Sequence, residues 1–535
     1  MKFQKIMKYI LIGAAVLFYL FAGISKSGLF DDDEAYYSEV AREMLETGNY
    51  AVPHFNYLPF LHKPALYYWF VSLSYKVFGI NEFAARLPSV IFILTLLVII
   101  YYFVSRLFNR TTAIMAGVIL IANIEMMVIS KAATMDALLM LLISASLFCY
   151  LEAYFSENKR YYIGVYIFSA LAVLTKGPSG LIIPGLVIFL FLAFSRQLSK
   201  YKEMDLLKGA IIFLVISLPW YVLVTVLTKG DFAKDFFLYH NIARFSSSFE
   251  GHSGNLFYYA VVILFGFYPW SSFLPSSIFR SIKRDKKLFF ILLWAAVPFV
   301  FFTLARTKLP NYIVPSFVPI SILIANWWNE YKNNDKNFKI DINISLVILF
   351  IVALIFCVVF GLNEQLINMA KSNFDNPFLM HDISFGIAPV ILSIFLILLI
   401  LSSYFCFKYG LKTCSFVAIA LIMFCFNFVM VEYVMPKGWF YVQGGLYELS
   451  NYVKNTRDDS VVVYALQQPS IVFYSQRKIK FISPEEDALF GFIIENHKID
   501  GRKVYVITKK SLVDRLFPYG LSVVNNTGGY SLLSN

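Results

Sequence analysis

Cysteine is scarce and scattered, with five in 535 residues at Cys149, Cys357, Cys406, Cys414 and Cys425. All lie in apolar runs, none has metal-site spacing, and the last hundred residues hold none. They read as small buried hydrophobes, so no disulfide is needed. Charge is scarce too: 15% of residues are charged against 59% hydrophobic. With a mean hydropathy of +0.66, the chain has too little polar surface for a soluble protein of this size. The net charge of +12 comes without a basic helix or an aromatic RNA-reading motif, which argues against a nucleic-acid partner. No phosphate loop or dinucleotide fingerprint occurs in the polar C-terminal region, so no nucleotide cofactor is expected. Nor is there the internal repeat usual in transporters.

What is there is apolar length. About thirteen runs are long enough to cross a bilayer, which takes about 20 residues. Their centres fall near Val16, Leu94, Ile119, Ile143, Ser169, Ile188, Leu218, Leu264, Pro298, Pro319, Leu354, Leu396 and Leu421. The first has a basic start but no small-residue cleavage site, and is expected to be an uncleaved span. Basic residues cluster in alternate short loops: Arg106 with Arg110, Lys159-Arg160, Arg196 to Lys208, and Arg280 to Lys287. The positive-inside rule puts these loops in the cytoplasm. The polar features that could carry chemistry then share the opposite, outer face. The expected fold is a polytopic α-helical membrane protein, with residues 1–434 as the membrane domain and 25–82 as its first outer loop. Residues 435–535 form a small α/β domain on the outer side. Its strands are expected at Ser460–Leu466, Lys478–Ile482 and Lys503–Thr508, with short helices at Pro469–Tyr474, Pro484–Asn496 and Ser511–Phe517.

The most polar stretch, Asp31 to Phe70, lies between the first two apolar runs. Asp31, Asp32, Asp33 and Glu34 stand side by side, followed by an amphipathic run to Glu46 and a second short helix from Pro64. Asp31 and Glu34 fit either a helix-capping loop or a site, whereas Asp32 and Asp33 before Ala-Tyr-Tyr look more like a site.

This stretch resembles the first outer loop of lipid A aminoarabinose transferases, within the protein O-mannosyltransferase-like group of polyprenyl-phosphate-sugar glycosyltransferases of GT-C type. Asp33-Glu34, Tyr37-Ser38-Glu39, Ala41 to Met44, Pro53, Lys63-Pro64, Tyr68-Trp69 and Glu82 to Pro88 carry the resemblance. Later loops continue it, although His62 stands where many relatives have Glu. The resemblance implies a sugar transferred with inversion from undecaprenyl phosphate to lipid A at the periplasmic face of the bacterial inner membrane. Asp33 takes the family's catalytic position, and Asp136 matches a second acid facing it.

Other residues have two readings each. Asp136 could pair with Lys131 or cap its helix, and Lys176 could snorkel to headgroups or bind phosphate. Arg244 suits bidentate phosphate binding. Arg306 and Lys308 break the positive-inside pattern in a short outer loop, which suggests phosphate binding there, with Tyr312 lining the groove. Lys63 completes the expected donor-phosphate set. Glu125 is an acid at membrane depth, a functional position by default. His62, His240 and His252 lie in the two largest outer loops; some relatives bind a structural metal there, which makes zinc the expected ion. Two rivals stay open: a protein O-glycosyltransferase with a Ser or Thr acceptor, and a lipid-linked sugar flippase.

Overall fold

The computed structural model describes residues 13–243, 254–282, 285–333, 338–373, 383–456, 460–486, 490–491, 493–494 and 503–535. Every expected span centre falls on a helix. Seven helices among the described residues are long and apolar enough to cross a membrane, and a bent pair at Tyr258–Gly266 and Trp270–Ser281 brings this to eight. Arg110–Ile121, Tyr161–Lys176 and Ser179–Phe194 are shorter apolar helices. This is a multi-span membrane protein.

Burial sorts the helices by role. The window of Asp136–Ser156 is 94% buried, against 22% for Leu206–Leu227, Lys339–Gly361 and Ala388–Lys408. The first is the central post of the bundle, and the other three carry apolar outer faces that suit lipid contact.

The polar first loop folds over one end of this bundle. Its helix Asp33–Thr47 is followed by a small hairpin, β1 (His54–Phe55) with β2 (Leu58–Pro59), and then by Leu66–Phe78. The amphipathic pattern predicts one exposed face, yet Glu39, Arg42 and Glu43 are buried with Val40, Ala41 and Met44. The buried Arg42 donates to Glu39 at 2.7 Å and to Glu46 at 2.5 Å, and Glu43 accepts from the Tyr57 amide at 2.9 Å. Glu34 is also internal. It accepts from Arg86 through both oxygens (2.9 and 2.8 Å), from the Phe30 amide (3.0 Å) and from the Ala133 amide (2.6 Å). Burial alone would raise the pKa of this carboxyl, but the Arg86 guanidinium and these donors hold it below the usual range.

The last apolar helix does not stop at residue 434. It runs from Lys412 through a wide turn at Met430–Val434 into Met435–Lys454, a continuous rod that carries the C-terminal domain. That domain is a five-stranded sheet in the order β4-β3-β5-β7-β6: β3 (Ser460–Tyr464), β4 (Lys480–Ile482), β5 (Val504–Lys509), β6 (Ser522–Thr527) and β7 (Tyr530–Ser534). β3 pairs in parallel with β4 and β5, and β7 runs antiparallel to β5 and β6. The three expected strands are present, and β6–β7 is a hairpin the sequence reading left unassigned.

Candidate active site

Between the polar first loop and the ends of the bundle lies a cavity of about 800 Å³, whose wall includes Asp32, Asp33, Lys63, Glu125, Lys176 and Tyr312. Residues from five separated stretches of sequence thus meet in one space, because the Asp33–Thr47 helix is pinned by Glu34 to both Arg86 and Ala133.

Asp33 opens that helix, half-buried, with the buried Tyr37 hydroxyl hydrogen-bonded to its carboxylate one turn on. Burial and then the Asp33 charge push the Tyr37 pKa well up, so Tyr37 stays a phenol and a donor. Asp32 is exposed on the same wall. Lys63 and His62 reach the wall half-buried, on the segment that leads into Leu66–Phe78.

Asp136 pairs differently from either expectation. Its carboxylate accepts from Lys176 at 2.5 Å and from Asn311 at 2.8 Å, while Lys131 donates to the Tyr19 carbonyl at 3.0 Å. Gly177, at a φ of +83°, ends the helix directly after Lys176, a backbone shape that favours glycine. The ammonium also sits 5.0 Å from the centre of the Tyr312 ring. Lys176 therefore neither snorkels away nor stands alone for a phosphate; it neutralises Asp136 and orders Tyr312.

Three expected roles need correction. Lys308 is buried and donates to the carbonyls of Thr303 (2.7 Å) and Ala305 (2.6 Å), so its charge satisfies a helix end. Arg306 is exposed, and the cavity wall takes in neither residue. Glu34 belongs to the buried ion pair, which makes it a positioning group rather than a reacting acid. Asp31 does not cap the helix, whose N-terminus has no side-chain cap. It accepts instead from the C-terminal domain, and burial raises its pKa to about 7 against those bonds.

His62 and His240 come together with ring centres 4.0 Å apart. Among the described residues no three His, Cys, Asp or Glu side chains converge as metal ligands. Arg244 and His252 lie outside the described residues. The sequence reading missed Tyr37, whose signal was its one-turn spacing from Asp33, and Gln467, which the C-terminal domain adds to the cavity wall.

The match to known proteins follows the same parts. Residues 62–222 match the family model described as dolichyl-phosphate-mannose-protein mannosyltransferase. An undecaprenyl phosphate-alpha-4-amino-4-deoxy-L-arabinose arabinosyl transferase of Yersinia enterocolitica is 31% identical over 367 residues, 65% of each chain. A second transferase of that name, from Proteus mirabilis, is 33% identical over 61% of this chain and 60% of its own. The chain is similar to these transferases over most of its membrane part. Its match spans just under two thirds of their length. The crystal structure of ArnT from Cupriavidus metallidurans, described as bound to undecaprenyl phosphate, superposes with a TM-score of 0.82 at 21% identity. That superposition covers 98% of this chain and 97% of the other, so the shared fold extends through the C-terminal sheet. An Archaeoglobus fulgidus oligosaccharyltransferase shares it more distantly, at a TM-score of 0.51 and 13% identity.

Proposed function

We propose that this protein transfers a sugar, an amino sugar as in its relatives' names, from undecaprenyl phosphate to lipid A at the periplasmic face of a bacterial inner membrane. The observation that carries the reading is one cavity holding the Asp33 carboxylate and the Lys63 ammonium together. It is roofed by the polar first loop and floored by membrane helices. A polyprenyl tail can stay in the apolar phase while its phosphate reaches Lys63.

In the reaction, the acceptor oxygen attacks the anomeric carbon from the face opposite the phosphate, and the carbon–oxygen bond to phosphate breaks with inversion. The electron pair leaves on the phosphate. Lys63 stabilises that growing charge on the phosphate. Asp33 takes the proton when the acceptor is a hydroxyl. When the acceptor is a lipid A phosphate, already anionic, Asp33 orients the sugar instead. Tyr37 holds the Asp33 carboxylate, and the neutralised Lys176–Asp136 pair faces it without adding net charge.

The test is transfer by purified protein from undecaprenyl-phosphate aminoarabinose to lipid A, followed by mass spectrometry. Modified lipid A and released undecaprenyl phosphate are expected. Sugar on Ser or Thr of secreted proteins, with lipid A unchanged, would replace this reading by the protein O-glycosyltransferase that the family model's description favours. Donor moved across vesicles with no release of undecaprenyl phosphate would replace it by a flippase.

We also propose that His62 and His240, whose ring centres lie 4.0 Å apart, hold a structural zinc ion at the seam of the two loops. Zinc in purified protein, reduced in His62→Ala, is the expected result. A fully active metal-free protein would remove it.

A further inference from the structure

Glu125 faces the same cavity from the side of the bundle. It sits in the first turn of Ile124–Ile129, a short helix that its surroundings hold rigidly. Asn123 caps that helix by accepting from the Met126 amide at 2.9 Å, and donates to the Leu120 carbonyl at 2.6 Å. Trp270 donates to the Ala122 carbonyl at 2.8 Å, and Asn427 to the Asn123 carbonyl at 3.3 Å. The neighbouring outer helix gives way to the acid. At Gly266 an added Cβ would lie 3.0 Å from Glu125 Oε2 and 3.3 Å from Glu125 Cβ, so glycine leaves the carboxylate its place.

Four other acids at or beside this cavity have identified partners. Asp31 is bound by the C-terminal domain, Glu34 by Arg86, Asp136 by Lys176, and Asp33 by Tyr37. Glu125 makes no hydrogen bond or ion pair with another described residue. Lys131, on the same wall, gives its ammonium to Tyr19, both to the carbonyl at 3.0 Å and over the ring at 4.6 Å. The Asp136 carboxylate adds like-charge repulsion at Glu125. A half-buried carboxylate at membrane depth, with no cation paired to it among the described residues, is costly unless a ligand supplies the cation.

We propose that Glu125 determines sugar specificity by receiving the ammonium group of an amino-sugar donor. The inference rests on the transferase reading above. The donor brings one positive charge on its sugar and one negative charge on its phosphate, and the cavity offers Glu125 for the first and Lys63 for the second. A sugar with hydroxyl in place of the amine leaves Glu125 without its ion pair. Discrimination on the order of 10- to 100-fold in kcat/KM is expected from one charge-assisted contact.

The experiment compares two donors, undecaprenyl-phosphate aminoarabinose and the analogue whose amine is a hydroxyl, in wild type, Glu125→Gln and Glu125→Asp. Wild type should favour the amino donor. Glu125→Gln should lose that preference mainly through KM, with its rate on the hydroxyl donor kept, and Glu125→Asp should retain part of it. An equal loss on both donors, as a pairing of Glu125 with the 244–253 loop would give, overturns the proposal. So does an unchanged preference. A wild-type protein that transfers from neither donor overturns the transferase reading itself, and the inference with it. Transfer with a wild-type preference for the hydroxyl donor overturns the inference alone.

Discussion

Asp31 and Ser470 stand 439 positions apart and meet through two hydrogen bonds. The Ser470 amide donates to Asp31 Oδ1 at 2.9 Å, and its hydroxyl donates to Oδ2 at 2.7 Å. Gln443 adds a third donor at 2.6 Å. The Tyr474 hydroxyl accepts from the Leu29 amide at 2.7 Å, and Asn56 exchanges two bonds with Ile479. The C-terminal domain therefore grips the chain on both sides of Asp33.

Asp31→Ala should consequently behave as a stability mutation. It strands three donors, at a cost of about 1–3 kcal/mol for each left unsatisfied and buried. The expected outcome is a lower Tm in detergent together with reduced transfer, and a smaller effect in Ser470→Ala, which keeps the amide bond. A capping role for Asp31 would instead leave Ser470→Ala without consequence.

Asp33 and Lys63 should separate in kinetics. Asp33→Asn keeps size and hydrogen bonding but loses the charge; transfer should fall by about 10²- to 10⁴-fold while donor still binds. Lys63→Ala should weaken donor binding and turnover together. Both are read from transfer rates beside a binding measurement with undecaprenyl-phosphate sugar. Near-normal transfer by Asp33→Asn would move the reaction centre to Asp32 or Asp136.

Glu34 gives a pH dependence of known sign. Its folded pKa lies below the usual glutamate value of about 4.3, so the Glu34–Arg86 pair contributes fully above that pH. The contribution is lost as pH falls through the lowered folded value. Thermal unfolding of wild type should show this acid-side loss, and Glu34→Gln should lack it. At neutral pH the same variant should be less stable by about 3–5 kcal/mol, because Arg86 remains buried without its partner.

Orientation is tested by thiol labelling in a cysteine-free background. A cysteine at Asn49 should react with an impermeant reagent in spheroplasts, and one at Asn158 should react only after the membrane is opened. The reverse result would put the cavity on the cytoplasmic side and exclude a periplasmic acceptor.

The sequence by itself determined the multi-span membrane class, helices at the apolar centres and three of the five C-terminal strands. Those follow from hydropathy and local periodicity, which act over a few residues and leave their mark in order along the chain. It also singled out Asp33 and Lys63, since unusual residues beside a membrane span are visible without a fold. Only the tertiary structure decided which charges are used up. In the sequence Lys131 is the candidate partner for Asp136, but the break at Gly177 delivers Lys176 instead and the carbonyl of Tyr19 claims Lys131. Lys308 looks like a phosphate ligand until the carbonyls of Thr303 and Ala305 take its protons. Asp31 and Glu34 look alike as neighbouring acids, yet one is bound by Ser470 and the other by Arg86. A charge at membrane depth needs a partner, and that partner is set by packing between distant segments, which no local pattern records.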